Sequence, residues 1–81
     1  MHPDEVKRLI EDGLPGARVD VTGDGSHFDA VIVSEDFSGK RPLERQRMVF
    51  ATLGERISNG TLHALSMKTY TPAEWDAAQR S

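Results

Sequence analysis

The sequence contains no cysteine. That excludes disulfides, a thiolate zinc ribbon and any thiol nucleophile within the chain. Long apolar runs are missing as well. Nothing approaches the roughly 20 consecutive apolar residues of a membrane helix, and the start carries no signal-peptide pattern. The expected location is therefore the cytosol. Positive charge is not in excess either: ten Lys and Arg stand against thirteen Asp and Glu, a net charge of −3. That balance argues against a dominant phosphate-binding face. Aromatic residues make up 6% of the chain, and none interleaves with the basic residues as a base-stacking platform requires.

What is present describes a soluble globular protein, with 37% hydrophobic and 28% charged residues in a chain of 81. This length makes one domain, residues 1–81, with no room for a second core. A chain of this size buries only somewhat more than about 60% of its unfolded surface, so a modest stability margin is expected.

The pattern alternates between two periods. Pro3 to Asp12 reads as a short amphipathic helix, with Val6, Leu9 and Ile10 on one face and Asp4 and Glu5 near its positive end. Gly13, Pro15 and Gly16 end it, and His2 beside the terminus is expected to be disordered. Ala17, Val19 and Val21 alternate with Arg18, Asp20 and Thr22 as in a half-buried strand. A turn by composition follows, Gly23-Asp24-Gly25-Ser26. The segment from His27 to Ser34 is the clearest strand, with Phe28, Ala30 and Ile32 on one side and Val31 and Val33 on the other. Two strands so closely spaced predict an antiparallel hairpin.

After a charged loop, Pro42 opens a longer helix that carries Leu43, Phe50, Leu53 and Ile57 at helical spacing, widened by Met48 and Val49. Asn59 and Gly60 are expected to stop it. The stretch from Leu62 to Tyr70 reads as a third strand, with His63, Leu65, Met67 and Thr69 on one side. Thr71, Pro72 and Glu74 then supply the cap, first residue and capping-box acid of a final helix, and Trp75 is placed to fold back on the sheet. From about Ala78 the helix is expected to fray. The order helix, strand, strand, helix, strand, helix predicts an α+β sandwich, αββαβα. Its three-stranded sheet is mixed, because a helical crossover precedes the third strand.

Two histidines, His27 and His63, each open a predicted strand, and a sheet could bring those ends together. Imidazole is a common neutral metal ligand, but two nitrogens alone make an incomplete site. Read from the residues alone, each is better accounted for as a structural or surface side chain. Asp24 and Ser26 beside His27 are read either as groups that orient it or as plain turn formers. Lys40, Arg41, Arg45 and Arg47 form a basic group around the second helix entry, a solvated face or a docking surface for a partner or nucleic acid. His27, Asp24, Asp29 and His63 can be drawn as a hydrolytic cluster. No nucleophile elbow or phosphate loop accompanies them, so an enzyme is not expected.

Three stretches carry a resemblance. Leu62 to Trp75 (LHALSMKTYTPAEW) resembles the C-terminal signature of the BolA-like proteins, small stress- and iron-linked domains. Gly23 to Phe28 resembles that family's loop segment, and Phe37 to Arg47 its helix entry. The resemblance implies a fold related to the K-homology domain. It implies that His63 is the characteristic ligand of an iron–sulfur cluster and that His27 stands in the loop of the histidine-type subgroup. It also implies a partner, a monothiol glutaredoxin, which with bound glutathione supplies the thiolates of a shared two-iron, two-sulfur cluster. The alternative it implies is a DNA-binding transcriptional regulator using Lys40, Arg41, Arg45 and Arg47. Against that stands the missing G-x-x-G clamp: Gly13-Leu14-Pro15-Gly16 precedes a strand instead of joining two helices.

Overall fold

The computed structural model describes residues 2–54 and 63–80. Its elements are α1 (Pro3–Gly13), β1 (Arg18–Gly23), β2 (Phe28–Val33), a 3-10 turn (Glu35–Phe37), α2 (Pro42–Leu53), β3 (Leu65–Tyr70) and α3 (Pro72–Arg80). The sheet order is β1-β2-β3, with β1 antiparallel and β3 parallel to β2. The expected α+β architecture with a mixed three-stranded sheet is what the chain adopts.

Register sorts the sheet into rows. One face carries Gly23–Phe28–Leu65, Val21–Ala30–Met67 and Val19–Ile32–Thr69. This is the inner face. Phe28, Ala30 and Ile32 are buried there, joined by Val6 and Ile10 from α1, Val49 and Leu53 from α2, and Phe37 from the 3-10 turn. Fully burying each of the larger side chains removes it from water for about 1.5–3 kcal/mol.

The other face carries Arg18–Val33–Tyr70, Asp20–Val31–Lys68 and Thr22–Asp29–Ser66. Its first row is roofed by α3. The Trp75 ring meets Tyr70 edge-on at 5.2 Å, and the Arg18 guanidinium lies 5.4 Å from the Trp75 ring centre. The other two rows stay open, with Asp20, Lys68, Thr22, Asp29 and Ser66 exposed and Val31 half-buried. Short polar and charged side chains on alternate positions are what let half of this face meet water.

Helix ends follow local chemistry. In α3, Glu74 N–H donates to Thr71 Oγ1 at 3.1 Å while Thr71 N–H donates to Glu74 Oε1 at 2.9 Å. That is the predicted reciprocal cap. His2 departs from expectation: it is the N-cap of α1. Its Nδ1 accepts from Asp4 N–H at 3.1 Å, and its own N–H donates to Glu5 Oε1 at 3.1 Å. A neutral imidazole has the acceptor lone pair that a cap needs, although histidine is outside the usual cap set.

Three further expectations change. α2 ends at Leu53, capped by Gly54 at φ +56°, where a side chain would be strained. Ile57, Asn59 and Gly60 lie outside the described residues. Leu43 is 56% exposed. The buried stripe of α2 is Arg45–Val49–Leu53, and Leu43 lies about 120° around the helix from Val49 at 3.6 residues per turn. Finally, β3 begins at Leu65, not Leu62. His63 and Ala64 are helical, so His63 does not share a strand face with Leu65, Met67 and Thr69. Leu62 lies outside the described residues.

Candidate functional site

His27 is the last residue of the β1–β2 turn. The turn is tied by one carboxylate: Asp24 Oδ1 accepts from Ser26 N–H at 2.9 Å, Ser26 Oγ at 2.8 Å and His27 N–H at 3.0 Å. Asp24 N–H donates back to His27 O at 3.3 Å. The Ser26 N–H first, with the Ser26 hydroxyl and the His27 N–H behind it, lowers the Asp24 carboxyl to about 2. Asp24 therefore fixes the backbone under His27 and does not touch the imidazole. Of the two sequence readings, the turn-forming one is correct for Asp24 and Ser26.

The imidazole lies over the open half of the outer face. Its Nε2 is 3.4 Å from Ser66 Oγ and 3.5 Å from Asp29 Oδ1, and just over half of the side chain (54%) is exposed. Ser66 is not among the sequence-predicted site residues. The signal was there only in combination, since Ser66 becomes a neighbour of Asp29 once the β2/β3 register is known. A shallow groove of about 240 Å³ between β2 and β3 is lined by Asp29, Ala30, Val31, Ser66, Met67 and Lys68.

His63 is exposed and lies two residues before Leu65. Because β2 and β3 run parallel with Phe28 opposite Leu65, the segments carrying His27 and His63 reach the sheet at the same end. The two segments thus meet the sheet at one end, as a consequence of parallel pairing. No group of three or more His, Cys, Asp or Glu suited to a metal occurs among the described residues. With no thiol in the chain, the two imidazoles fit part of a ligand set and leave the rest to another molecule. Ser66 and Asp29 both approach Nε2, so they do not form a hydrolytic triad, in which base and orienting acid use different ring nitrogens.

The basic group divides. Lys40, Arg41 and Arg47 are exposed, and Arg41 N–H donates to Glu44 Oε1 at 3.2 Å at the start of α2. Arg45 differs from expectation: it is buried, with 9% of its surface exposed. Its Nη1 and Nη2 donate to Glu74 at 2.6 and 3.2 Å, its Nε donates to Lys40 O at 2.9 Å, and Nη1 also reaches Thr69 O at 3.4 Å. The guanidinium packs 5.8 Å from the Phe37 ring centre. Burial of this cation is offset by a two-pronged carboxylate pair, and its donors are committed inside the protein. The Arg45 bond, followed by the Thr71 N–H, lowers the Glu74 carboxyl to about 2. Since Arg45 bonds Thr69 near the far end of β3, the entry to α2 and the histidine end lie about 13 Å apart along the strand at 3.3 Å per residue.

Comparison with known proteins fits this architecture. The sequence profile of the family described as BolA-like protein matches residues 8–74. The acid stress protein IbaG of Escherichia coli (strain K12) is 40% identical over 75 residues, covering 93% of this chain and 89% of that protein. The DNA-binding transcriptional regulator BolA of the same strain is 49% identical over 57 residues, covering 70% of this chain and 53% of that longer protein. A bolA protein homologue from Coxiella burnetii has a solved structure that superposes with a TM-score of 0.82 at 42% identity. The match covers 94% of this chain and 97% of that one.

Proposed function

Because this chain belongs to the BolA-like protein family, we propose that it is an accessory protein that binds a monothiol glutaredoxin and shares a glutathione-ligated two-iron, two-sulfur cluster with it. His63 and His27 are its ligands. The observation that carries this reading is the parallel β2/β3 register, which delivers both exposed histidines to one end of the sheet in a chain without thiols. A cluster held partly by His63 and His27 in place of thiolates would have a raised reduction potential. The chain's own part is to present neutral imidazoles from a turn clamped by Asp24 and from the residues entering β3. Its task is trafficking of the cluster or iron-linked regulation, with no catalysis of its own.

The test is assembly. The chain, a monothiol glutaredoxin, glutathione, ferric iron and a sulfide source are combined without oxygen and separated by size. A coloured complex with one copy of each protein and an iron content matching one cluster is expected. His63→Ala should abolish it and His27→Ala should weaken it. Equal yield from all three proteins would refute the ligand assignment.

A second reading is supported by the BolA relative described as a DNA-binding transcriptional regulator and by the exposed cations Lys40, Arg41 and Arg47. For that reading, an Arg41→Ala/Arg47→Ala variant should bind duplex DNA more weakly and with a shallower salt dependence, by up to about 2 units of slope for two lost phosphate contacts. Absence of binding by the wild type at low salt removes this reading.

A further inference from the structure

We propose that Asp29 and Ser66 are positioning residues for His27: they hold the ring with a protonated Nε2 turned onto the sheet and leave Nδ1 as the nitrogen offered to an incoming metal. The statement about Nδ1 and the metal rests on the cluster-sharing reading above; the statement about the ring concerns the free protein.

Three observations carry it. Asp29 follows His27 by two residues in β2 and is the register partner of Ser66 in β3, so two strands bring polar groups to one ring nitrogen. Asp29 Oδ1 and Ser66 Oγ lie 3.5 and 3.4 Å from Nε2. A carboxylate oxygen accepts and a serine hydroxyl can accept as well, so both neighbours favour a proton on Nε2 over one on Nδ1. Turning the ring over would place a carbon against both oxygens and forfeit the pairing. The backbone below is fixed independently, by the His27 N–H bond to Asp24. In the resulting tautomer the free lone pair is on Nδ1. A carboxylate on the far nitrogen of a metal-binding imidazole fixes its tautomer and raises its basicity, and the exposed half of the side chain leaves room for a partner to approach.

Long-range proton–nitrogen correlation spectra of the free protein in alkaline buffer read the tautomer of His27. The ratio of Nε2–H to Nδ1–H should exceed that of the urea-unfolded chain. In an Asp29→Ala/Ser66→Ala variant it should fall by roughly twofold to tenfold, the range of an ordinary net hydrogen bond. Both residues are exposed, so an unchanged circular-dichroism spectrum is expected to show that the fold is kept. A ratio unaltered by the variant, or a predominance of Nδ1–H in the wild type, would overturn the proposal. The second readout is pulsed electron paramagnetic resonance of the reduced shared cluster, with histidine labelled at Nδ1. A coupling to the label that disappears in His27→Ala is expected; bonding through Nε2 would overturn the assignment. A cluster-free mixture would count against the cluster-sharing reading and its Nδ1 contact, while the free-protein ratio still decides the ring's tautomer.

Discussion

Replacing Arg45 with alanine tests whether this cation is part of a binding surface or part of the interior. The substitution removes two stem methylenes from a side chain that is only 11% exposed, worth about 1.5 kcal/mol at about 0.8 kcal/mol each. It also takes the Nε donor from Lys40 O, at 2.9 Å the better of its two carbonyl bonds, worth about 1 kcal/mol. The full cost of breaking a buried ion pair is not added, because the Glu74 side chain is 47% exposed and rehydrates when its partner leaves. The sum is about 2.5 kcal/mol. For a domain of this size that lowers the melting temperature by about 10–20 °C. Thermal and urea unfolding followed by circular dichroism would read it, with Arg41→Ala and Arg47→Ala as exposed controls expected within about 0.5 kcal/mol of wild type. A double-mutant cycle with Glu74→Ala should show coupling between the two sites. If Arg45→Ala melted no lower than the two controls, the structural role assigned to it would be refuted.

Acidification supplies a second prediction. Glu74 and Asp24 titrate at about 2 in the folded protein, below their ordinary values of 4.5 and 3.8. A depressed folded value means that their contribution is complete above the ordinary values and is lost as the pH falls toward about 2. Urea midpoints should therefore decline across that window, and a Glu74→Gln variant should show a shallower decline. A third concerns Gly23, where an added Cβ would collide with the His27 carbonyl oxygen and come within 2.9 Å of Phe28 Cδ1. Gly23→Ala should shift the amide resonances of residues 24–28 and lower the melting temperature. An unperturbed turn would contradict the close approach of the hairpin strands. A fourth concerns packing: Ile32→Val, at a position with no exposed surface, should cost about 1 kcal/mol in urea unfolding.

Much of this fold was legible because its signals are local. The alternation through Phe28, Ala30 and Ile32 marked the inner face of β2 correctly, and Thr71, Pro72 and Glu74 marked the start of α3. Non-local facts were hidden. Arg45 sits in the apolar stripe of its helix, and nothing in the helix itself shows that Glu74, 29 residues on, completes its hydrogen bonding. A charged side chain at a buried helical position therefore read as part of a basic surface. His63, Leu65 and Met67 keep a two-residue period that mimics a longer strand, yet His63 and Ala64 are helical. At the histidine site the sequence pointed to His27 and His63 and left the role of Asp24 and Ser26 open between orienting the ring and forming the turn. Asp24 and Ser26 are neighbours in sequence that serve the backbone, whereas Ser66 reaches the ring across a parallel strand pair.

The measurement that bears most directly on the cluster-sharing proposal is a visible absorption and circular-dichroism titration of this chain into a glutathione-loaded, cluster-bearing monothiol glutaredoxin, with His63→Ala and His27→Ala alongside. A new spectrum that saturates near one equivalent, is absent with His63→Ala and is diminished with His27→Ala is the predicted result. A spectrum unchanged by the wild type, or changed equally by all three proteins, would contradict it.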